Sequence, residues 1–397
     1  MRCLIPVLCG FAMMAVAVAQ SAPGANDQEA GNIPRVVGVL EGSRTAVFET
    51  PHDSCTFDDI PDAMARAFRD YTGTVHFVTA SSDMFQSLGP DLDNLQHSCA
   101  VAHRSANDPN PAHYNDQTWL DSFYTIDGLT IAALTHTEYH GWAHSGECDS
   151  QNINEYDSDT YHLSTDGGYT FEAFKAPANF LAGIPFEYVI DDGPAGYSVD
   201  TNVIDWGGWY YAVATSWTWP PNCTGQSGVN PCLTSGGAPI RTNNVFDPAS
   251  WSGSNFSVSF VDPYLGPVQN PLEHVYTSVP DMAFVNGIYI YQPSNVVVAV
   301  LWDYFDTELG PEGLYFATST DLVHWTRPLL VATLAEITAN DPPGNWLYAY
   351  FSLIDTSAPD LNFSMIGDHP YLYYVRLDLN GQGRVVFRQK VSLSVNP

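Results

Sequence analysis

Ser164-Thr165-Asp166-Gly167-Gly168-Tyr169-Thr170-Phe171 closes an apolar run, turns on two glycines and ends in an aromatic ring. Thr318-Ser319-Thr320-Asp321-Leu322-Val323-His324-Trp325 repeats the design, and the stretch from Arg241 to Trp251 keeps its outline. An Asp side chain in such a turn hydrogen-bonds its own backbone two residues on, and the terminal ring fills an apolar gap. These boxes therefore carry structure rather than chemistry. Tight turns at Tyr71-Thr72-Gly73, Ile126-Asp127-Gly128, Trp206-Gly207-Gly208 and Val285-Asn286-Gly287 each join two runs that read as strands. The last three turns lie roughly 80 residues apart, which suits a four-stranded unit with one long loop.

Inner strand pairs fall at residues 62–80, 119–136, 200–216, 278–301 and 348–374, with outer halves at 99–105, 161–171, 232–251, 314–325 and 384–391. That arrangement predicts an all-β chain folded as a five-bladed β-propeller. A strand over residues 34–49 is left over, and pairing it with the last unit would close the ring and remove exposed sheet edges. Aromatic residues make up 13% of the 397, with 30 Gly and 28 Pro, which describes short strands and tight turns rather than long helices. No linker divides the chain, so residues 34–397 read as one domain.

Arg2, the apolar run from Leu4 to Val18 and the small residues Ala17-Val18-Ala19 predict a signal peptide over residues 1–19. A flexible polar leader over 20–33 is expected to follow, and no later stretch is apolar enough for membrane insertion. The expectation is a secreted monomer, extracellular or periplasmic. Cys55 and Cys99 are expected to pair, as are Cys223 and Cys232, leaving Cys148; no zinc spacing occurs among the thiols. With 13 basic against 44 acidic residues the formal net charge is −31, which argues against nucleic acid as a partner.

Strand starts on one face of a propeller bring Asp62, Asp121, Asp200, Glu273 and Asp281 toward the axis. Overhanging loops add His136-Thr137-Glu138-Tyr139-His140, Trp142, Trp217, Trp219 and Trp302, and Arg66 supplies a local cation. Carboxylates among aromatic rings suit a carbohydrate substrate, since ring faces stack on sugar C–H faces while carboxylates accept hydroxyl hydrogen bonds and transfer protons. Strand alternation points His136, Glu138 and His140 the same way. They offer substrate contacts, a site for a divalent metal, or, with Tyr139, the base and acid of a polysaccharide lyase. A non-catalytic sugar-binding propeller is the third reading.

The first box resembles the Asp-box of propellers such as sialidases, with Ser164, Asp166, Gly168 and Thr170 in pattern and Phe171 where Trp is usual. In layout, residues 34–397 resemble the five-bladed propeller glycosidases: arabinanases, xylosidases and fructosidases. That resemblance implies a glycoside hydrolase with an Asp base in the first blade, matched by Asp62. It implies a pKa-tuning Asp in the third blade, matched by Asp200 in the run from Tyr197 to Tyr211. It also implies a Glu acid in the fourth, where Glu273 and Asp281 both remain open. A structural cation such as calcium is compatible with such folds, and no ligand set in the sequence identifies one.

Overall fold

The computed structural model describes residues 33–144, 155–190, 195–218, 234–253, 256, 258–269, 285–303, 309–381 and 383–396. Among them α-helix is confined to Gly141–His144 and Leu334–Thr338. The described chain enters as β1 (Arg35–Glu49), then makes an antiparallel meander of β2 (Arg66–Arg69), β3 (Val75–Val78), β4 (Asp83–Gly89) and β5 (Gln96–Arg104). A second meander follows, of β6 (Gln117–Thr125), β7 (Ile131–His140) and β8 (Glu155–Ser164), edged by β9 (Glu172–Ala173) and β10 (Phe180–Ala182). Next come β11 (Ala195–Val199), β12 (Ile204–Trp206), β13 (Trp209–Thr218), β14 (Thr234–Thr242), β15 (Ser252–Gly253) and β16 (Val258–Ser259). A short parallel pairing, Ala195 with Tyr156 and Gly196 with Asp157, joins β11 to β8 and makes these two groups one sheet.

The fourth group is β17 (Val285–Tyr291), β18 (Val296–Asp303), β19 (Gly313–Ser319) and β20 (Leu329–Thr333). The last holds β21 (Trp346–Ile354), β23 (Tyr371–Asp378) and β24 (Arg384–Asn396), while the small β22 (Met365–Ile366) joins the fourth sheet through β17. Strand β1 pairs antiparallel with β24 from Arg35↔Asn396 to Glu49↔Val385, so the leftover N-terminal strand does complete the final sheet.

Period-2 alternation explains how these strands stay apolar on both faces. In β18, Val296, Val298, Val300 and Trp302 enter one core while Val297, Ala299 and Leu301 enter the next. Strand β7 sends Ala132 and Leu134 one way and Ile131 and Ala133 the other. Strand β23 divides Leu372 and Tyr374 from Tyr373 and Val375 in the same manner. Five buried apolar clusters result among the described residues, each between successive strand groups, and one joins the last group to the first through Ala349, Val375, Val75 and Phe77.

The boxes behave as turn chemistry requires. Asp166 accepts from the backbone N–H of Tyr169 at 3.0 Å and of Thr170 at 3.1 Å, and Ser164 Oγ accepts from Gly168 N at 2.8 Å. Phe171 then packs with Phe68, Leu120 and Phe123 between the first two groups. Asp321 and Ser319 cap the later box in the same way, and Trp325 packs against the cluster between the third and fourth groups. Strands β4, β11 and β20 lie outside the strands expected from the sequence. Strand β11 precedes Asp200, so Asp200 ends a strand rather than starting one. Replacing Phe171 with Ala should cost about 3–5 kcal/mol of stability in chemical denaturation, whereas the same change at Leu265, 72% exposed, should cost almost nothing.

Candidate functional site

The hairpin of β7 and β8 aligns His136 with Asp159, Glu138 with Asp157 and His140 with Glu155. Directly opposed residues share a face, so six ionisable groups stand in two columns. A bulge in β6 between Leu120 and Ser122 adds Asp121 at the foot of the β7 column, its Oδ2 2.5 Å from His136 Nδ1. His136 Nε2 lies 3.2 Å from Glu138 Oε1, and His140 Nε2 lies 2.8 Å from Glu138 Oε2. Trp119 stacks on His136 with ring centroids 5.1 Å apart, and Trp142 stacks on His140 at the same distance. Asp159 accepts the Val199 N–H at 2.8 Å, and Ser198 Oγ donates to Asp200 at 2.6 Å, which brings β11 into the cluster.

Charges in such density cannot all persist out of water. Burial works against the charge of His136, yet Asp121 and then Glu138 outweigh it and hold the imidazolium well above its ordinary pKa. His140 is raised against burial by Glu138. Burial likewise opposes ionisation of Glu138, but its hydrogen bonds from the two imidazoles hold it below the usual carboxylate range. The facing column behaves oppositely. Burial, then the charge of Glu138, pushes Glu155 up to about 8. Asp157 is raised well above the usual range by burial, Glu155 and Glu138. Burial raises Asp159 strongly despite the Val199 N–H, and pushes Asp200 up to about 6 against the Ser198 hydroxyl and His136. Asp157 Oδ1, Asp159 Oδ2 and Asp121 Oδ1 are buried without a hydrogen-bond partner among the described residues.

The structure gathers His136, Glu138, His140, Trp142 and Asp200, and separates other residues expected beside them. Asp62 is buried in an ion pair with Arg384 and accepts the Tyr350 hydroxyl at 2.8 Å, so it ties the first strand group to the last instead of sharing a site with Asp200. Arg66, expected to bind substrate, is buried, and its guanidinium donates to the carbonyls of Ala65, Asp121, Asp200 and Asn286 and to Tyr289 Oη. All five of its N–H groups thus face inward acceptors. Trp302 is fully buried and stacks on Phe351 at 4.1 Å, a core ring rather than a sugar platform. Tyr139 faces away from Glu138, donates to Pro109 O at 3.0 Å and packs edge-on against Tyr188. Backbone pairing sets Trp217 opposite Ser235 and Gly196. Glu273, Asp281 and Trp219 lie outside the described residues, as do Cys148, Cys223 and Cys232; Cys55 and Cys99 are bridged.

Glu155, Asp157 and Asp159 were missed as site residues. The acidic alternation Glu155-x-Asp157-x-Asp159 was visible, but its register against β7 was not. Glu138, His140 and Glu155 present donor atoms within 4.8 Å of one another, a spacing that could suit a divalent cation. Both Glu138 oxygens are already engaged by imidazoles, so the set reads as an ion-pair ladder.

Among solved structures, the chain is similar to an α-L-arabinanase of Cellvibrio cellulosa, with 11% identity and TM-score 0.41 over 84% of this chain and 91% of that one. A putative glycosidase of Bacteroides thetaiotaomicron is similar over 88% of this chain and 93% of that one, with 10% identity and TM-score 0.46. A sialidase of Trypanosoma rangeli is similar over 88% of this chain, with 10% identity and TM-score 0.44, and the match spans 60% of the sialidase. No protein-family model matches the chain, and no curated protein matches its sequence.

Stability should depend on pH with a definite sign. Unfolded carboxyls titrate near about 4, so the folded chain holds extra protons on Asp157, Asp159, Asp200 and Glu155 above that pH, and their contribution falls as pH rises toward about 8. His136 and His140 act in the same direction: their contribution is complete below about 6.5, the unfolded value, and is lost at higher pH. Glu138 opposes them only in acid, below about 4.3. These groups favour a higher melting temperature at pH 5 than at pH 8, opposed by His103 and His162, whose burial lowers their pKa values and costs stability in acid; Asp159→Asn should raise the melting temperature at pH 8 while changing little at pH 5. A wild-type curve rising toward pH 8, unaltered by the substitution, would contradict this electrostatic account. Arg66→Lys should lower the melting temperature at every pH, because an ammonium keeps the charge but offers three donors where five are used.

Proposed function

We propose that this chain is a secreted five-bladed β-propeller and a glycoside hydrolase acting on a neutral carbohydrate. The blade count is supported by the five apolar clusters between successive strand groups and by the pairing of β1 with β24. Secretion is supported by the apolar run from Leu4 to Val18 and the small residues after it, and the Cys55–Cys99 bridge suits an oxidising compartment. A net charge of −31 disfavours an anionic polymer as substrate.

One observation carries the catalytic reading: Glu138 and Glu155 have carboxyl oxygens within 4.8 Å of each other, and their surroundings push their pKa values apart. Two carboxyls with opposite shifts are the signature of an acid and its ionised partner. Glu155, holding its proton up to about 8, donates to the departing glycosidic oxygen. Glu138, held ionised by two imidazoles, supplies the partner carboxylate. Glu138 is assigned as the ionised second carboxylate that such hydrolysis requires. Half-buried Trp142 supplies an aromatic surface for a sugar ring. Asp62, expected as the base, is engaged by Arg384 and Tyr350 and is given no catalytic role; Asp200 remains as a neighbouring charge that helps keep protons on Asp157 and Asp159.

A lyase finds less support, since Tyr139 faces away and His136, held as a cation, has no lone pair to take a proton. Purified protein should release reducing sugar or phenol from some member of a panel of neutral polysaccharides and aryl glycosides. Glu138→Gln and Glu155→Gln should each lower kcat by about 10²–10⁴-fold. Wild-type activity should decline above about pH 8 as Glu155 loses its proton, and this limb should be absent from residual Glu155→Gln activity. Turnover that survives both substitutions would remove the pair from the mechanism, while binding without turnover would favour a sugar-binding propeller.

A further inference from the structure

We infer that Asp121 is a positioning residue that acts through His136 to hold Glu138 in place as a carboxylate. His136 Nδ1 meets Asp121 Oδ2 and His136 Nε2 meets Glu138 Oε1, so both ring nitrogens face carboxylate oxygens. A neutral imidazole has one N–H and would turn its bare nitrogen lone pair toward one carboxylate; only the doubly protonated ring satisfies both. The spacing therefore selects imidazolium, and imidazolium supplies the N–H that anchors Glu138 Oε1. His140 anchors the other oxygen at 2.8 Å, which fixes the carboxylate plane from both sides.

Asp121 is itself held rigidly. Its carbonyl receives Arg66 Nε at 2.9 Å, it occupies the bulge of β6, and it is fully buried. Trp119 stacks on the His136 ring with a 2° angle between planes, restricting rotation of the imidazole away from either acceptor. The other ionisable groups whose charges reach this ring are Glu138 on its own strand, Glu155, Asp157 and Asp159 on β8, and Asp200 after β11. Glu138, like Asp121, hydrogen-bonds to the ring; burial holds the β8 acids toward their neutral forms, while Asp200, pushed up to about 6, keeps its charge above that pH. Removing the Asp121 charge should therefore free His136 to lose its proton in the neutral range.

This inference rests on the glycosidase reading for its catalytic meaning, but its decisive test needs no substrate. In the whole protein, the His136 ring signals in NMR, assigned by their loss in His136→Gln, should show no titration between pH 6 and 8 in the wild type. In Asp121→Asn their midpoint should fall into that window, because the larger of the two raising charges is gone. A wild-type His136 that already titrates within that window overturns the inference, even if Asp121→Asn cannot be folded. Identical titration in both proteins overturns it as well. If the wild type turns over a glycoside, Asp121→Asn should lower kcat at pH 7.5 by at least about 10-fold with KM little changed, and should regain much of that loss at pH 5.5. A purely structural lesion would show no such recovery in acid. Titration as expected in a protein with no turnover on any substrate would sink the glycosidase reading and leave the Asp121–His136 coupling standing.

Discussion

Arg66 is the interaction on which the interior depends. A guanidinium is planar, permanently charged and equipped with five donors in a rigid fork, so burying one demands five acceptors at fixed angles. Here backbone carbonyls from the first, second, third and fourth strand groups provide most of them. Tyr289 provides the last, and its hydroxyl also receives Leu353 N from the fifth group. Losing any one contact would leave a buried N–H of a cation unpaired, a cost of about 1–3 kcal/mol. Two of the anchored carbonyls belong to Asp121 and Asp200, so the same cation that gathers the sheets also sets the backbone beneath the acidic columns.

Those columns illustrate a conflict between folding and chemistry. A core filled with valine at these positions would be more stable than one crowded with Asp157 and Asp159, each with a buried oxygen lacking a partner among the described residues. The β7 column answers with alternating signs, carboxylate and imidazolium, and keeps its charges. The β8 column has no cation of its own and answers by keeping protons. Proton-holding acids facing an ionised one arise from this asymmetry between two adjacent strands.

What could be read from sequence follows the distance over which each feature is encoded. Tight turns and boxes are local, so Gly128, Asp166 and Phe171 were legible in role, and the strand over 34–49 could be matched to an open edge. The facing of His136, Glu138 and His140 was legible from alternation alone. The partnership of Glu138 with Glu155 was not, because residues 141–154 separate the two strands and no short turn specifies their register. Asp62 and Arg66 were misread for a related reason. Arg384 and Asn286 are remote in sequence, and a charged residue near a strand start looks the same whether it faces solvent or a buried partner.

The pairing of β1 with β24 also bears on how the molecule comes into being. Each of the first four strand groups is built from neighbouring segments and can form soon after it is synthesised. The last sheet cannot, because β1 must wait for a partner at the far end of the chain, and contacts of such sequence separation form slowly. Until then β1 presents an unpaired backbone edge, and the apolar surfaces of β21 and of the β2–β3 hairpin lack their final cover. The growing chain therefore passes through an open ring whose exposed margin is the surface most prone to pair with another copy, and closure of the circle is what ends that hazard.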